Sequence, residues 1–145
     1  MFSKAIFQIF LVGAFAVAPR LGLASEPTGA SAPVRLEVVN GTATQRLACQ
    51  IVLAHFVTQD IAQIPAGKSA VISLRRDLDD GTLIYQRDGG RRMAVENVLC
   101  GIANNWRATR NDLNISPLRE GRHAALKIIC QAPEALSCNI QGGAE

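Results

Sequence analysis

The residues best suited to covalent chemistry in this sequence are its four cysteines. They are Cys49, Cys100, Cys130 and Cys138, and no two of them form a CxxC pair of the kind that thiol-exchange enzymes use. An even number of cysteines in a small exported chain indicates two disulfide bonds, and three pairings are open. Cys49 is in phase with Leu47 and Ile51, which places it on a core-facing side. We favour Cys49–Cys100 together with a short Cys130–Cys138 bridge.

The two histidines, His55 and His123, are the other residues that could act in catalysis or bind a metal. Metal centres and hydrolytic triads need converging His, Cys or carboxylate groups, and neither histidine has such a neighbour at ligand spacing. No serine lies in a G-x-S-x-G nucleophile elbow. The sequence therefore predicts no catalytic residue, no metal site and no cofactor. A site that the fold assembles from His55, His123, Glu96 and a reduced cysteine stays as the enzymatic alternative.

Arginine and the single tryptophan indicate a different chemistry, the recognition of another protein, because Trp and Arg are enriched at interface hot spots. The arginines that could surround Trp106 at one end or edge of the domain are Arg75, Arg76, Arg87, Arg91, Arg92, Arg107 and Arg110. From these we select a candidate interface that consists of Trp106, Arg107, Arg110, Arg91 and Arg92. The alternative is that Trp106 fills the core while the arginines guard exposed strand edges.

Residues 1–24 have the pattern of a secretory signal peptide. Lys4 supplies the positive start, residues 5–18 are apolar, and small residues precede a cleavage site after Ala24. A membrane anchor fits less well, since Pro19 and Arg20 stop the apolar run short of the roughly 20 residues that a span needs. We therefore expect a periplasmic or secreted protein that is not inserted in a membrane after cleavage.

The charge of the chain does not favour nucleic acid as a partner. The full sequence has a formal net charge of +3, and signal cleavage would remove Lys4 and Arg20. A nearly neutral mature chain lacks the long-range positive field on which nucleic-acid binding depends. The expected partner is instead an exported or envelope protein, with the oligomeric state left open.

Short alternating segments between turns make up the rest of the chain. A small, polar stretch at 25–32 is typical of a linker, residues 33–140 form the domain, and 141–145 form a loose tail. Period-2 alternation or turn-bounded apolar runs predict strands at 34–40, 46–56, 69–76, 82–87, 91–100 and 124–130. Asp80-Gly81 and Asp88-Gly89 are typical hairpin turns. We expect residues 57–68 to be a long connection, 115–123 a loop and 130–138 a C-terminal hook.

The stretch AVENVLCGIANNWRATR, which begins at Ala94, fits two secondary structures. Val95, Val98 and Ile102 recur at helical spacing, but residues 93–99 also alternate as a strand would. The preceding hairpin and the central Gly101 favour the strand. We expect a strand, a GIANN loop and a return strand at 106–113.

Together these patterns predict an all-β fold, a single disulfide-braced antiparallel β-sandwich after a signal peptide, with an immunoglobulin-like arrangement as one candidate. The function that we expect is binding of a protein partner by a non-catalytic, exported accessory, assembly or inhibitory factor. The alternative is a small-molecule, glycan or metal-binding module. An enzyme assembled around His55 or His123 is a third and weaker hypothesis.

Overall fold

The computed structural model describes residues 29–141, so the predicted signal peptide, the linker up to residue 28 and the tail from 142 lie outside the described residues. Nine strands follow one another along the chain: β1 (Ser31–Asn40), β2 (Leu47–Leu53), β3 (Val57–Ile64), β4 (Ser69–Asp77), β5 (Leu83–Gln86), β6 (Arg92–Ile102), β7 (Asn111–Asp112), β8 (Ala125–Gln131) and β9 (Ser137–Ile140). Two single-turn helices, α1 (Trp106–Thr109) and α2 (Ser116–Arg119), flank β7. The predicted all-β class is confirmed. The first strand begins two residues inside the predicted linker.

The strands are joined in one large mixed sheet with the order β3-β2-β6-β5-β4-β1-β8-β9, and β7 pairs separately with β6. All neighbours are antiparallel except β1 and β8, which are parallel. The prediction of a purely antiparallel sheet is therefore wrong at this pair. The segment between β7 and β8 carries the chain back to the middle of β1, where the Arg35 N–H donates to the Ala124 carbonyl at 2.9 Å and the second half of β1 pairs with β8. The sandwich and immunoglobulin-like descriptions stay predictions.

The long strand β6 connects the two halves of the sheet. Residues 92–94 pair with β5, and residues 95–102 pair with β2. The strand predicted for this ambiguous stretch is confirmed, and it continues through Gly101 to Ile102. The predicted return strand is largely wrong, because Trp106–Thr109 form α1 and only Asn111–Asp112 pair with β6.

Alternation along the strands builds one continuous core. In β2 the buried residues are Leu47, Cys49, Ile51 and Leu53, as the sequence predicts. The same period buries Val34, Leu36 and Val38 in β1. Burial of side chains of this size contributes about 1.5 to 3 kcal/mol each. The alternation therefore determines which face of each strand packs in the core and which face is available for contact with other molecules.

Both disulfides join directly opposed residues of neighbouring antiparallel strands. Cys49 of β2 bonds to Cys100 of β6, with Cα atoms 4.2 Å apart, and Cys130 of β8 bonds to Cys138 of β9, with Cα atoms 4.0 Å apart. The predicted pairing is confirmed. The predicted C-terminal hook is in fact a hairpin, because Cys138 lies on a strand of its own.

Residues 57–64 form a strand where the sequence predicted a connection. β3 pairs with β2 along its length, with a register shift between Cys49 and Gln50. The register shift interrupts the alternation of apolar and polar residues along β3. β3 also carries several polar side chains, because it is an edge strand with a single neighbour. Its period was therefore hidden. The turn between β2 and β3 holds His55 and Phe56 at φ 64° and 59°, so His55 is not the strand residue that we expected.

The turn between β3 and β4 is anchored to the end of β1 by Asn40. The buried Asn40 amide donates to the carbonyls of Gln45 (2.7 Å) and Ile64 (2.8 Å), and its oxygen accepts from the Thr42 hydroxyl at 2.7 Å. The Gly67 N–H donates to the Asn40 carbonyl at 2.8 Å. β3 ends and β4 begins at this fixed point, and the two strands pair with different neighbours, β3 with β2 and β4 with β1.

Candidate functional site

The two edges of β4 are paired very differently. On one side β4 pairs with β1 at nine positions, from Ser69 to Asp77. On the other side it pairs with β5 only at Arg75 and Arg76. Within residues 29–141, Val71 to Leu74 therefore have a strand neighbour on one side only. This leaves about 13 Å of strand edge open, at roughly 3.3 Å per residue.

Hydrogen bonds at the ends of β4 show which backbone groups face the open side. The Asn40 N–H donates to the Lys68 carbonyl and the Leu78 N–H donates to the Ala30 carbonyl, so even-numbered residues bond toward β1. The Asp77 N–H donates to the Thr82 carbonyl on the β5 side. Because bonding directions alternate along an antiparallel strand, the N–H and C=O groups of Val71 and Ser73 point to the open side.

The turn between β4 and β5 is fixed by its own carboxylates. The Asp77 carboxylate accepts from the Asp79 N–H at 2.9 Å, and Asp80 accepts from the Thr82 N–H at 2.8 Å. Hydrogen bonding by Thr82 lowers the pKa of the Asp80 carboxyl below its ordinary value. These bonds set the register at which β5 joins β4, after which the two strands separate.

A cleft of about 730 Å³ lies where β4 and β5 separate. One wall is the open stretch of β4, and the other contains Tyr85 and Gln86 of β5 with Ile61 of β3. The cleft is lined by Pro33, Ile61, Val71, Ile72, Ser73, Leu74, Arg75, Ile84, Tyr85, Gln86, Arg87, Gly89, Gly90 and Arg92. We call this site the arginine cleft. It combines apolar walls, an open strand edge and three arginines.

Neutral partners hold the three arginines in place. The Ser31 hydroxyl accepts from Nε of Arg75 at 2.8 Å and from an Nη of Arg92 at 3.3 Å. The two guanidinium groups share one oxygen, so these nitrogens lie no more than about 6 Å apart. Arg87 donates through Nε to the Gln59 side chain at 2.9 Å. The positive groups are therefore positioned by β1 and β3 before any ligand binds.

The arginine cleft has no carboxylate to balance its charge. None of its lining residues is Asp or Glu. In the part of the chain that the structure describes, the one ion pair within 4 Å joins Arg122 and Glu120, which lie elsewhere. Nε of Arg92 is buried and has no hydrogen-bond partner among residues 29–141. The positive charges of Arg75 and Arg92, whose donor nitrogens lie no more than about 6 Å apart, repel each other. A bound anion would reduce this repulsion and accept hydrogen bonds from guanidinium N–H groups that have no other partner in the described part of the chain.

The structure divides the interface that the sequence predicts. Arg91 and Arg92 lie at the start of β6, whereas Trp106, Arg107 and Arg110 follow its end. Ten residue steps of extended chain separate Arg92 from Ile102, or roughly 33 Å. The structure thus places these residues at opposite ends of a long strand, and the interface that the sequence predicts stays a prediction. Arg75 and Arg87 line the cleft with Arg92 instead of the distant residues. Sequence reasoning missed Ser31, which bonds to Arg75 and Arg92, and Gln59, which bonds to Arg87.

Trp106 is packed against the sheet and is only half-buried. A side chain on Gly101 would place its Cβ 2.8 Å from Cε3 of Trp106 and 3.1 Å from the Cα of Arg110. The indole therefore covers the backbone of β6 where no side chain is present. Neither prediction for Trp106 fits fully, since it is neither a core residue nor a free surface residue.

The residues of the enzymatic alternative lie on separate elements. His55 is exposed in the turn between β2 and β3, and His123 is exposed just before β8. The reduced cysteine that such a site would need is ruled out because all four cysteines are in disulfides. Among residues 29–141 no group of three His, Cys, Asp or Glu side chains is placed to hold a metal ion.

The two disulfides are compatible with an oxidising, extracytoplasmic location. Among the helices of residues 29–141, none is long and apolar enough to cross a membrane.

Comparison with known proteins adds little to the site. No family model matches the sequence, and no curated protein matches it. Among solved structures, a protein from Eubacterium rectale determined by NMR is similar with a TM-score of 0.41 and 10% identity. That match covers 77% of this chain and 90% of the other. The function therefore has to come from the chemistry of the arginine cleft.

Proposed function

We propose that this protein is an exported, non-catalytic binding protein that recognises an acidic segment of another exported or envelope protein at the arginine cleft. It would act as an accessory, assembly or inhibitory factor. The observation that carries the proposal is the set of three positioned arginines beside an open strand edge, with no carboxylate in the lining. Arginine is the side chain best suited to bind a carboxylate through two parallel hydrogen bonds.

The apolar part of the cleft supports a protein partner rather than a small inorganic anion. Ile61, Val71 and Tyr85 line the walls beside the arginines. Val71 is 47% exposed, so it offers apolar surface in the middle of the open stretch. Protein interfaces combine such apolar contacts with aromatic and arginine side chains.

Export is part of the proposal and has its own measurement. Expression of the full sequence in an exporting host, with an affinity tag at the C-terminus, should yield protein in the exported fraction. Intact-mass analysis should place its new N-terminus after Ala24. Protein that retains residues 1–24 in the membrane fraction would contradict the export hypothesis.

The binding site is tested by reversing charges in the arginine cleft and, as a control, beyond the far end of β6. The exported, tagged protein is used to capture its partner from the exported fraction of its own cells, with Arg75→Glu/Arg92→Glu as the test variant. Arg107→Glu/Arg110→Glu makes the same change of charge at the opposite end and is the matched control. We expect the cleft variant to lose at least tenfold in captured partner, and the control to retain it.

Two outcomes would overturn this assignment. Capture that the cleft variant retains and the control loses would return the interface to Trp106 and its neighbours. Capture of no protein, together with thermal stabilisation by a small acidic metabolite or sugar acid, would favour the ligand-binding alternative. A ligand at about 100 times its Kd stabilises a protein by roughly 2.7 kcal/mol, which a thermal shift detects.

A further inference from the structure

The geometry points to strand addition as the way in which the arginine cleft binds its partner: an extended segment with alternating apolar and acidic residues pairs with the open edge of β4. This inference rests on the proposed function and adds the conformation and the sequence pattern of the partner. Its basis is the juxtaposition of an unpaired backbone edge with guanidinium groups that have no carboxylate partner among the described residues.

The open edge offers backbone hydrogen bonds in a form that only an extended chain can use fully. The N–H and C=O groups of Val71 and Ser73 point away from β1, and residues 29–141 supply no strand neighbour to them. An added strand satisfies these groups in the usual ladder. Addition of a strand to a sheet edge is a general mode of peptide recognition, in which main-chain bonds give affinity and alternate side chains give specificity.

The two faces of β4 dictate what the alternate side chains of the partner should be. Ile72 and Leu74 are buried in the core, so residues of the added strand that share their face meet apolar surroundings. Val71, Ser73 and Arg75 are on the exposed face. Apolar residues on the inner face and polar residues on the outer face of the added strand follow from this.

The arginines make the outer residues acidic. Arg75 lies two positions from Ser73 on the same face, so it is the diagonal neighbour of an outer side chain placed opposite Ser73. The Arg92 guanidinium lies near that of Arg75, because both donate to the Ser31 hydroxyl of β1. In the proposed complex an outer carboxylate of the added strand replaces this neutral oxygen as the partner of the two groups. Lysine there would add a third positive charge.

The probe is a synthetic eight-residue peptide of alternating Val and Glu with blocked ends, titrated into the exported, disulfide-bonded protein. Residue-resolved hydrogen exchange by NMR follows the Val71 and Ser73 amides. In the free protein these amides should exchange much faster than those of Ile72 and Leu74, which face β1. With the peptide bound, their exchange should slow by at least tenfold.

Two chemical variants separate strand addition from simple charge attraction. Two further versions of the peptide carry N-methyl groups on one or the other set of alternate amides and keep all the carboxylates. Each version can donate backbone hydrogen bonds on one edge only. The version that is methylated on the edge facing β4 should bind at least tenfold more weakly than the parent peptide. The Val-Lys peptide should not bind measurably. On the protein, Ser73→Pro removes the N–H that faces the cleft and leaves the bonds to β1 in place. It should weaken binding about tenfold, whereas Ser73→Ala should not.

Several results would overturn the strand-addition inference without deciding the proposed function, which the capture experiment tests separately. Equal binding of the parent peptide and both N-methylated versions would mean that the arginines bind anions without strand pairing. So would binding that leaves exchange at Val71 and Ser73 unchanged. Absence of binding of the Val-Glu peptide would exclude an acidic strand as occupant. The peptide tests need no native partner, so capture that is insensitive to Arg75 and Arg92 would count against the proposed function alone. If Ser73→Pro does not fold, the N-methylated peptides test the same bond in the unaltered protein.

Discussion

At its first residue β6 carries Arg92, whose guanidinium borders an open cleft and has a buried, unpartnered Nε among the described residues. At its other end, Cys100, Gly101 and Ile102 are all buried. There the Cys49–Cys100 disulfide cross-links the strand, the Trp106 indole packs on Gly101, and the Thr109 hydroxyl accepts from the Ile102 N–H at 2.9 Å. One strand thus has a closed end, which packs within the chain, and an open end, which borders a cleft.

This difference teaches where function can be placed on a small all-β protein. Stability comes from groups whose partners lie within the chain, and binding comes from groups whose partners do not. The closed end should therefore dominate the free energy of unfolding, and the open end should tolerate substitution with little loss of stability. Three substitutions along β6 test that comparison.

The largest effect should come from the disulfide at the closed end. The double variant Cys49→Ala/Cys100→Ala removes a bridge across 51 residues, and the loop-entropy estimate gives a loss of about 4 kcal/mol. Against a typical stability of about 5 to 15 kcal/mol, this loss brings the protein close to unfolding. Urea unfolding followed by circular dichroism measures it.

The matched control is Cys130→Ala/Cys138→Ala, which removes a bridge across only 8 residues. The same estimate gives about 2.5 kcal/mol for that bridge. A smaller loss for the long bridge than for the short one would contradict the view that the end of β6 is the main structural support.

A smaller loss should follow from Gly101→Ala. The new methyl group would meet the Trp106 ring and the backbone of Arg110, and neither the strand nor α1 can move freely. Overpacking of this kind typically costs about 1 to 3 kcal/mol. Thermal and urea unfolding measure the change in stability.

A double-mutant cycle identifies the cause. If contact with the indole produces the loss, Trp106→Ala in the Gly101→Ala background should recover part of it, giving a coupling energy above about 0.5 kcal/mol. Purely additive effects would show that the indole does not pack on Gly101 as described.

The smallest effect on stability should come from Arg92→Gln at the open end. This change removes one of three positive charges from a cleft without carboxylates, and it gives up a single 3.3 Å bond to Ser31. We expect the free energy of unfolding to change by no more than about 0.5 kcal/mol, while binding of the Val-Glu peptide weakens. A loss above about 1.5 kcal/mol would mean that Arg92 is a structural residue.

Local patterns in the sequence were enough for much of the fold. The phase of Cys49 with Leu47 and Ile51 led to the correct disulfides, because an inward-facing cysteine on one strand needs an inward-facing partner on its neighbour. β3 was missed because the register shift beside Cys49 and its position at the sheet edge break the period. The Trp106 segment was misassigned because α1 is one turn, too short to show a helical period.

The candidate site was only partly within reach of sequence reasoning. Arg92 was selected as an interface residue for its type and its place beside a hairpin turn. The same reasoning predicts Arg75 and Arg87 as neighbours of Trp106. In the structure they line the cleft with Arg92, and the length of β6 lies between Arg92 and Trp106. Nothing in the sequence singled out Ser31, since a serine in a small, polar stretch resembles linker.

The sequence by itself determined the all-β class and the buried face of most strands, because each follows from a period of two along a few neighbouring residues. It favoured the correct pairing of the cysteines, but strand order and register decided that pairing. The tertiary structure decided that β5 leaves β4 after two pairs and that Ser31 meets arginines 44 and 61 residues away. Such meetings depend on strand order and register, which arise from the packing of the whole core rather than from any local pattern. The open edge of β4 and the arginines beside it are therefore visible only in the tertiary structure.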